Sequence, residues 1–532
     1  MSTSGQQFDV ILIGSGIGNL SAASILSQLY GKKVLVLEKH SKAGGFTHIF
    51  KRQGKFEWDV GLHYVGGMSK GSMSRAMFDL VTAGGVRWQR LPDIYDVFMY
   101  PGLTFRARSG RSRLRSDLKK QFPGEANAID TYFRDVRRAS GWLGRHVVAK
   151  SLPRLMAPLS NLSQAYGASG ALQTTRAYLE THIRDAQLRA VLASQWGDYG
   201  LPPRRSAFAL HAMVTSHYMD GAYYPIGGAS SIASAIRPVI EASGGQVLLS
   251  HRVEEVLIEG NRAVGVRAVQ QKVDPPVEIR FAADIIISGV GALLTYARLL
   301  PRSLDIPYRE DIVRFPRGAS NVTVYIGLKD DPRRLGLSGE NYWMYDSFDH
   351  DEVFEDRNAL AGGKARHCFL SFPSLKNPQA SAHTAEIIAL VDPEPFLEWS
   401  SQPVKKRGPE YEHLKARIGD ALLDFVDERI PGFRGLVEYV ELSTPLTTEH
   451  YTGYPGGTIY GAPGIPERYR MPWIGFRTPI PNLMMAGADT SVHGVTGAMM
   501  SGAIAAGVAM GVPKALMHIF RSAREFSASL PA

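Results

Sequence analysis

Four short apolar runs stand out along the chain: Val10-Ile11-Leu12-Ile13, Val34-Leu35-Val36-Leu37, Ile285-Ile286-Ile287 and Leu483-Met484-Met485-Ala486. Unbroken runs of this length suit strands of a parallel sheet buried on both faces. A second pattern appears at Asn321-Val322-Thr323-Val324-Tyr325-Ile326-Gly327-Leu328, where polar and apolar positions alternate. Alternation predicts a strand with two unlike faces, and Asn341-Tyr342-Trp343-Met344-Tyr345 reads as another. Gly244-Gly245 followed by Gln246 to Val253 reads as a turn and a strand. No stretch of about twenty uncharged apolar residues occurs, so no membrane-spanning helix is predicted.

The first two strands are joined by Gly14-Ser15-Gly16-Ile17-Gly18-Asn19 and a helix-forming segment. Gly14 allows the tight turn from strand to helix. Gly16 lets the backbone approach a pyrophosphate, which then rests on the positive helix N-terminus. Glu38 ends the second strand, where a carboxylate accepts hydrogen bonds from ribose hydroxyls and repels the 2′-phosphate of NADP. Asn19 occupies the last place of the glycine fingerprint, so helix and strand are expected to pack differently there. Gly44-Gly45 follows the acid closely. A second close approach of backbone to phosphate suits a larger cofactor lying extended through the protein.

With Glu38, Gly44-Gly45, Asp59-x-Gly61-x-His63 and the closing strand Leu483 to Asp489 in this order, the chain resembles the FAD-dependent amine oxidase and phytoene desaturase superfamily. Within it, the likeness is to the carotenoid isomerase and retinol saturase branch. The resemblance implies an α/β fold: a Rossmann-type FAD-binding domain assembled from discontinuous segments, plus an α+β substrate domain with a mixed sheet and helical cap. The flavin domain is expected from residues 1–75, 216–300 and 446–532, and the substrate domain from 76–215 and 301–445.

The resemblance further implies non-covalent FAD held by Gly14, Ser15, Gly16, Ile17, Gly18, Glu38, Lys39, Gly44, Gly45, Val253, Gly487, Asp489, Val495 and Thr496. Val253 would present its backbone to the adenine. Asp489 would hold a ribityl hydroxyl or, on a plainer reading, cap the following helix. The helix after His493-Gly494 would point its N-terminus at the negative edge of a reduced isoalloxazine. His63, His493 and His211 are candidates for proton transfer, with His217 a supporting one, and each is also readable as a structural histidine. Trp196, Tyr199, Tyr223 and Tyr224 are candidates for shaping a substrate tunnel. No metal site is expected.

The single cysteine, Cys368, excludes an intramolecular disulfide and reads as a buried thiol. No Ser-His-Asp elbow, metal cluster or second glycine fingerprint is evident, so the flavin would carry the chemistry. The net charge is +10. Most of it lies in residues 101–160, where thirteen Lys or Arg face four acids among residues such as Leu114, Leu118, Phe133, Trp142, Val148, Leu155 and Met156. That mixture suits an element lying on an anionic bilayer, or equally a solvated basic helical face. Nucleic acid is not expected as a partner. The N-terminus lacks the pattern of a secretory signal, so a cytoplasmic protein, peripheral on the membrane at most, is expected.

The expected reaction is FAD-dependent desaturation or saturation of a carbon–carbon bond in a long lipid chain, an isoprenoid polyene or a fatty acyl group. Oxygen, a quinone or a redox protein would exchange electrons with the flavin. A redox-neutral double-bond isomerase and a non-catalytic flavin-containing lipid carrier are the alternatives.

Overall fold

The computed structural model describes residues 3–153, 165 and 167–531. The apolar runs form one seven-stranded sheet. Its order is Gln246–Leu249, Val34–Glu38, Thr3–Ile13, Val277–Ser288, Arg262–Gln270, His251–Glu259, with Leu483–Met485 also paired to Val277–Ser288. The strands at the centre are parallel: Val10 to Ile13 faces Val34 to Leu37 on one side and Ile285 to Ser288 on the other. Leu483 to Met485 pairs in parallel with Ile286 to Ser288. Strands His251–Glu259, Arg262–Gln270 and Val277–Ser288 run antiparallel as a meander.

The helix Ile17–Tyr30 follows the glycine turn and is buried along most of its length. The helix Gly494–Met510, next to last in the chain, lies against it. Their approach is close enough that a Cβ added to Gly502 would stand 1.9 Å from the Gly18 carbonyl oxygen. Asn19 explains its departure from the fingerprint. Its Nδ2 donates to the Ile13 and Gly14 carbonyls at 2.7 and 2.9 Å, and its amide packs against Gly289. The side chain thereby ties the helix start to the strand that precedes it.

A second seven-stranded sheet has the order Val437–Ser443, Ser320–Leu328, His383–Val391, His367–Ser371, Asn341–Tyr345, Ile94–Tyr100, Leu103–Arg108. It is mixed: Asn341–Tyr345 and Ile94–Tyr100 are parallel, and all other neighbours are antiparallel. The alternation seen in the sequence divides its faces. Val322, Val324, Ile326, Met344, Leu370 and Ile387 share a core with Tyr411, Ile418, Leu422 and Val426 of the helix Gly408–Asp427. Asn321, Thr323, Tyr325, Trp343, Tyr345, Phe369 and Ile388 turn the other way, toward a cavity.

The hairpin Ile49–Arg52/Phe56–Asp59 joins the two sheets. Trp58 donates from Nε1 to the Ile326 carbonyl at 3.0 Å, and Phe50 meets Tyr325 edge-on at 4.7 Å. The helices Arg111–Gln121, Ala126–Ala149, Thr175–His182, Ala186–Ala193 and Phe208–Tyr218 are among those that pack around the sheets. Among the described residues, no helix is long and apolar enough to cross a membrane.

The contact between the two glycine-faced helices is testable. Gly502→Val inserts atoms where a backbone oxygen already stands, which costs about 1–3 kcal/mol by overpacking. The holoprotein should show a lower thermal midpoint and lose its chromophore on gel filtration. Gly144→Ala, whose Cβ would meet nothing within 4 Å, should leave both unchanged.

Candidate functional site

A cavity of about 980 Å³ runs from the glycine turn, beneath the second sheet, to the start of the helix Gly494–Met510. This volume is at the upper end of small-molecule pockets, about 300–1,000 Å³. Gly14, Ser15, Gly16, Ile17, Gly18, Glu38, Lys39, Gly44, Gly45 and Val253 line one part, and Gly487, Asp489 and Val495 another. Of the fourteen residues expected to hold the cofactor, only Thr496 is not among the lining residues.

At the nucleotide end, Glu38 is pinned by short bonds. Its Oε2 accepts from the Ser15 amide at 2.8 Å and the Ser15 hydroxyl at 2.7 Å, and its Oε1 accepts from the His40 amide at 2.7 Å. The Gly44 amide donates to the Ser15 carbonyl at 3.1 Å, which draws the Gly44-Gly45 turn against the fingerprint. Gly44 has φ +116°, and a Cβ there would stand 2.7 Å from the Thr47 carbonyl oxygen, so glycine is required. The Lys39 ammonium donates to the His450 carbonyl at 3.1 Å, and burial holds its pKa below the usual lysine range.

Two helices open on this one cavity. Neither Ile17–Tyr30 nor Gly494–Met510 has a side-chain cap or an acid in its first turn. An uncapped N-terminus is a partial positive charge with free amides. At Gly16 a Cβ would meet nothing within 4 Å, which leaves room for a ligand at the first helix start. A dinucleotide with a pyrophosphate at its middle and an electron-accepting ring at one end fits this donor set.

Asp489 pins two cavity loops. Its Oδ1 accepts from the Ala462 amide at 2.7 Å, and its Oδ2 from the Ala292 amide at 2.7 Å and the Tyr454 hydroxyl at 3.2 Å. The N-cap of the following helix is His493 rather than Asp489. His493 is buried against Arg468 and the Ala462 carbonyl, and burial with the Arg468 charge pushes its pKa down to about 3. It is not a lining residue.

Beneath the second sheet the cavity becomes aromatic, with Trp196, Trp343, Tyr345, Phe369 and Tyr460 along its walls. His63 enters this chamber just after the hairpin that anchors it. Its Nδ1 bonds the fully buried Glu386 at 2.7 Å. The Lys376 ammonium, also buried, donates to the His63 carbonyl at 2.9 Å, the Ser371 hydroxyl at 2.7 Å and the Asn341 side-chain oxygen. Burial lowers its pKa to about 8 against the pull of Glu386, Asp96 and Asp59. Burial, and Glu386 nearby, raise the Asp59 pKa, although Tyr224 and the Ala229 amide donate to its carboxyl.

Sequence reasoning did not single out Glu386, Lys376, Asp96 or Asp198. A signal existed for two of them: Asp96 and Glu386 are lone acids inside otherwise apolar strands, Ile94–Tyr100 and His383–Val391, where a charge is costly unless partnered. Nothing in the pattern marks Lys376.

Of the remaining candidates, His211, His217, Tyr199, Tyr223 and Tyr224 lie outside the cavity lining. His211 is held between the Tyr132 hydroxyl at 2.8 Å and the Tyr199 hydroxyl at 3.3 Å, and burial pushes its pKa down to about 3. His217 bonds the Gly66 amide at 2.9 Å. Tyr224 is behind the chamber on Asp59, and Tyr223 is in the small strand Ala222–Pro225. Trp196 lines the cavity and donates from Nε1 to His350 at 2.9 Å. Cys368 is buried, and burial raises its pKa to about 12.

The basic segment differs from an interfacial helix. Leu114, Leu118, Phe133, Trp142, Leu143 and Val147 are buried in the protein core, and Val148 is exposed. Arg108, Arg113, Arg115 and Lys119 pair with Asp117, Asp93 and Asp130. Arg154, Leu155 and Met156 lie outside the described residues.

Comparison with known proteins agrees with this geometry. A family model described as flavin containing amine oxidoreductase matches residues 20–373. The chain is 35% identical to the all-trans-retinol 13,14-reductase of Danio rerio, over 94% of this chain and 86% of that protein. It is 24% identical to prolycopene isomerase 2, chloroplastic, of an Oncidium hybrid cultivar, over 86% of this chain and 75% of that protein. Among solved structures, putrescine oxidase bound to putrescine superposes with a TM-score of 0.61 at 17% identity, covering 93% of this chain and 97% of the other. The chain belongs to the flavin containing amine oxidoreductase family and is an FAD-dependent oxidoreductase.

Proposed function

We propose that this enzyme saturates a carbon–carbon double bond in a long hydrophobic polyene of the retinoid kind. The observation that carries this reading is the 35% identity, over 94% of the chain, to a protein named as a retinol 13,14-reductase. The aromatic chamber beneath the second sheet supports it, because a rod-shaped apolar substrate needs a dry wall of this sort.

FAD would be held by Gly14, Ser15, Gly16, Ile17, Gly18, Glu38, Lys39, Gly44, Gly45, Val253, Gly487, Asp489, Val495 and Thr496. When bound it supplies a hydride donor or acceptor at its flavin ring. The uncapped N-terminus of Gly494–Met510 would stabilise negative charge on that ring. His63 faces the chamber with a ring fixed by Glu386, and serves there to orient the substrate or to move a proton. His493 and His211 take positioning roles in this reading, through Arg468 and through Tyr132 and Tyr199. Trp196 shapes the chamber directly, and Tyr199, Tyr223 and Tyr224 support it from behind. Residues 1–75, 216–300 and 446–532 form the flavin-binding part, and 76–215 and 301–445 the substrate part. For this reduction, electrons would reach the flavin from an external donor such as a quinone couple or a redox protein.

A second reading is a redox-neutral double-bond isomerase, favoured by the match to a protein named prolycopene isomerase. Product mass separates the two. Anaerobically reduced holoenzyme given all-trans-retinol should yield a product heavier by two hydrogens. An unchanged mass with altered double-bond geometry would establish the isomerase.

Replacing Glu38 by Gln removes the negative charge beside the ribose site. Cofactor affinity should fall about tenfold, as expected for losing one charge-assisted hydrogen bond, when FAD retention is measured by fluorescence titration.

Membrane attachment through the basic segment would rest on charge, since most of its described apolar residues face inward. Binding to vesicles containing phosphatidylserine should therefore weaken sharply as salt is raised from low to physiological concentration. Salt-resistant binding in a flotation assay would overturn this.

A further inference from the structure

The chamber also contains a carboxyl group that none of the preceding assignments uses. Asp198 lines the cavity in the turn Ser194–Asp198, directly after Trp196 and Gly197. Trp343 packs so tightly over Gly197 that a Cβ there would stand 2.7 Å from its ring, and Tyr460 donates to the Gly197 carbonyl at 3.0 Å. Tyr460 is also 5.8 Å from the His493 ring, and the adjacent Gly461 approaches the Asp489 carboxylate. The turn carrying Asp198 is therefore connected to the Asp489 end of the cavity, where the helix Gly494–Met510 begins.

Hydrogen bonding distinguishes Asp198 from its neighbour. The Tyr64 hydroxyl lies 2.9 Å from Asp198 Oδ2 and 3.3 Å from Asp96 Oδ2. A phenol has one proton, so it cannot satisfy two carboxylates at once. Asp96 has other donors: Asn341 Nδ2 at 3.1 Å on Oδ1 and Gln195 Nε2 at 2.8 Å on Oδ2. The Asn341 amide is held in that orientation by Lys376, which donates to its oxygen. Among the described residues Asp198 has no amide donor and no cation, and its Oδ1 has no partner. Asp198 is itself a residue of the cavity lining. Of two like acids sharing one phenol, the poorly served one keeps its proton. Burial and the Asp96 charge agree, raising the Asp198 pKa well above the usual carboxylate range.

We propose that Asp198 is the acid that delivers a proton to the substrate carbon, and that Tyr64 and Asp96 are the positioning residues that hold it for this step. This rests on the proposed reduction of a double bond. In the step the Asp198 O–H bond breaks and a C–H bond forms on the carbon that does not receive hydride. Asp198 is left as the carboxylate, and both electrons come with the hydride of reduced flavin. Tyr64 anchors Oδ2 and stacks on Tyr218 at 4.3 Å, so Oδ1 is the oxygen presented to the chamber.

The test compares wild-type holoprotein with Asp198→Asn and Tyr64→Phe. The infrared difference spectrum of wild type minus Asp198→Asn should contain the carbonyl band of a neutral carboxylic acid, shifting in D2O. Tyr64→Phe should keep that band but move it to higher frequency, because the carbonyl oxygen loses its donor. After anaerobic reduction with dithionite, flavin reoxidation by all-trans-retinol should be about 100-fold slower or more in Asp198→Asn, the usual worth of a general acid, with bound FAD unchanged. Absence of the band from wild type, or wild-type reoxidation rates in Asp198→Asn, would overturn the proposal. Should wild-type protein leave retinol unchanged, the substrate reading falls, and the band alone decides whether Asp198 is the neutral acid of the chamber.

Discussion

The close crossing of Ile17–Tyr30 and Gly494–Met510 is the constraint from which the architecture follows. Small residues at Gly18 and Gly502 let the two backbones approach to contact distance. Chain segments separated by most of the sequence are thereby brought side by side, and each helix begins at the same cavity. Part of the intervening chain completes the first sheet, and the rest builds outward. That remainder includes the second sheet, which closes over the opening between the helix starts. Two partial positive charges and a long enclosed trough are thus products of one packing contact.

The second sheet solves a problem of opposite faces. Its rear face is aliphatic and covered by Gly408–Asp427, while its front face carries Asn321, Thr323, Tyr325 and Trp343 over the cavity. Under that roof, His63, Glu386, Lys376, Asn341, Asp96, Tyr64 and Asp198 form a connected polar chain inside an otherwise apolar region. Desolvation makes such groups expensive unless each finds a partner, and most of them do. Among the described residues of this polar chain, the buried exception is Glu386 Oε1. A polar thread is therefore kept at the place where an oily substrate would leave water behind, and it supplies the fixed charges and protons that solvent cannot.

Much of the nucleotide end was legible in the sequence. Strand, glycine turn, helix, strand and acid lie in a local segment of under forty residues, so spacing alone fixes their geometry. The doubly buried runs and the alternating strand at Asn321 also read correctly as members of two different sheets. Asn19 was visible as an irregularity, but its bonds to the Ile13 and Gly14 carbonyls depend on a rotamer that spacing does not encode. The chamber was far less legible, because its residues converge from strands remote in sequence. Asp96 and Lys376 come together through Asn341 only once Ile94–Tyr100 lies beside Asn341–Tyr345. The basic segment was read from composition as either an interfacial element or a solvated face, and composition does not encode the helical phase that turns Phe133 and Trp142 inward.

The parallel pairing of Asn341–Tyr345 with Ile94–Tyr100 has a consequence for biogenesis. A strand made early waits for a partner translated some 240 residues later. The first helix waits longer still, since the helix that covers Gly18 is near the C-terminus. On the ribosome the nascent chain therefore carries a strand with one open edge through nearly half of its synthesis and an unclosed nucleotide trough through most of it. Until Gly494–Met510 closes the trough, exposed apolar surface of this kind is prone to aggregation.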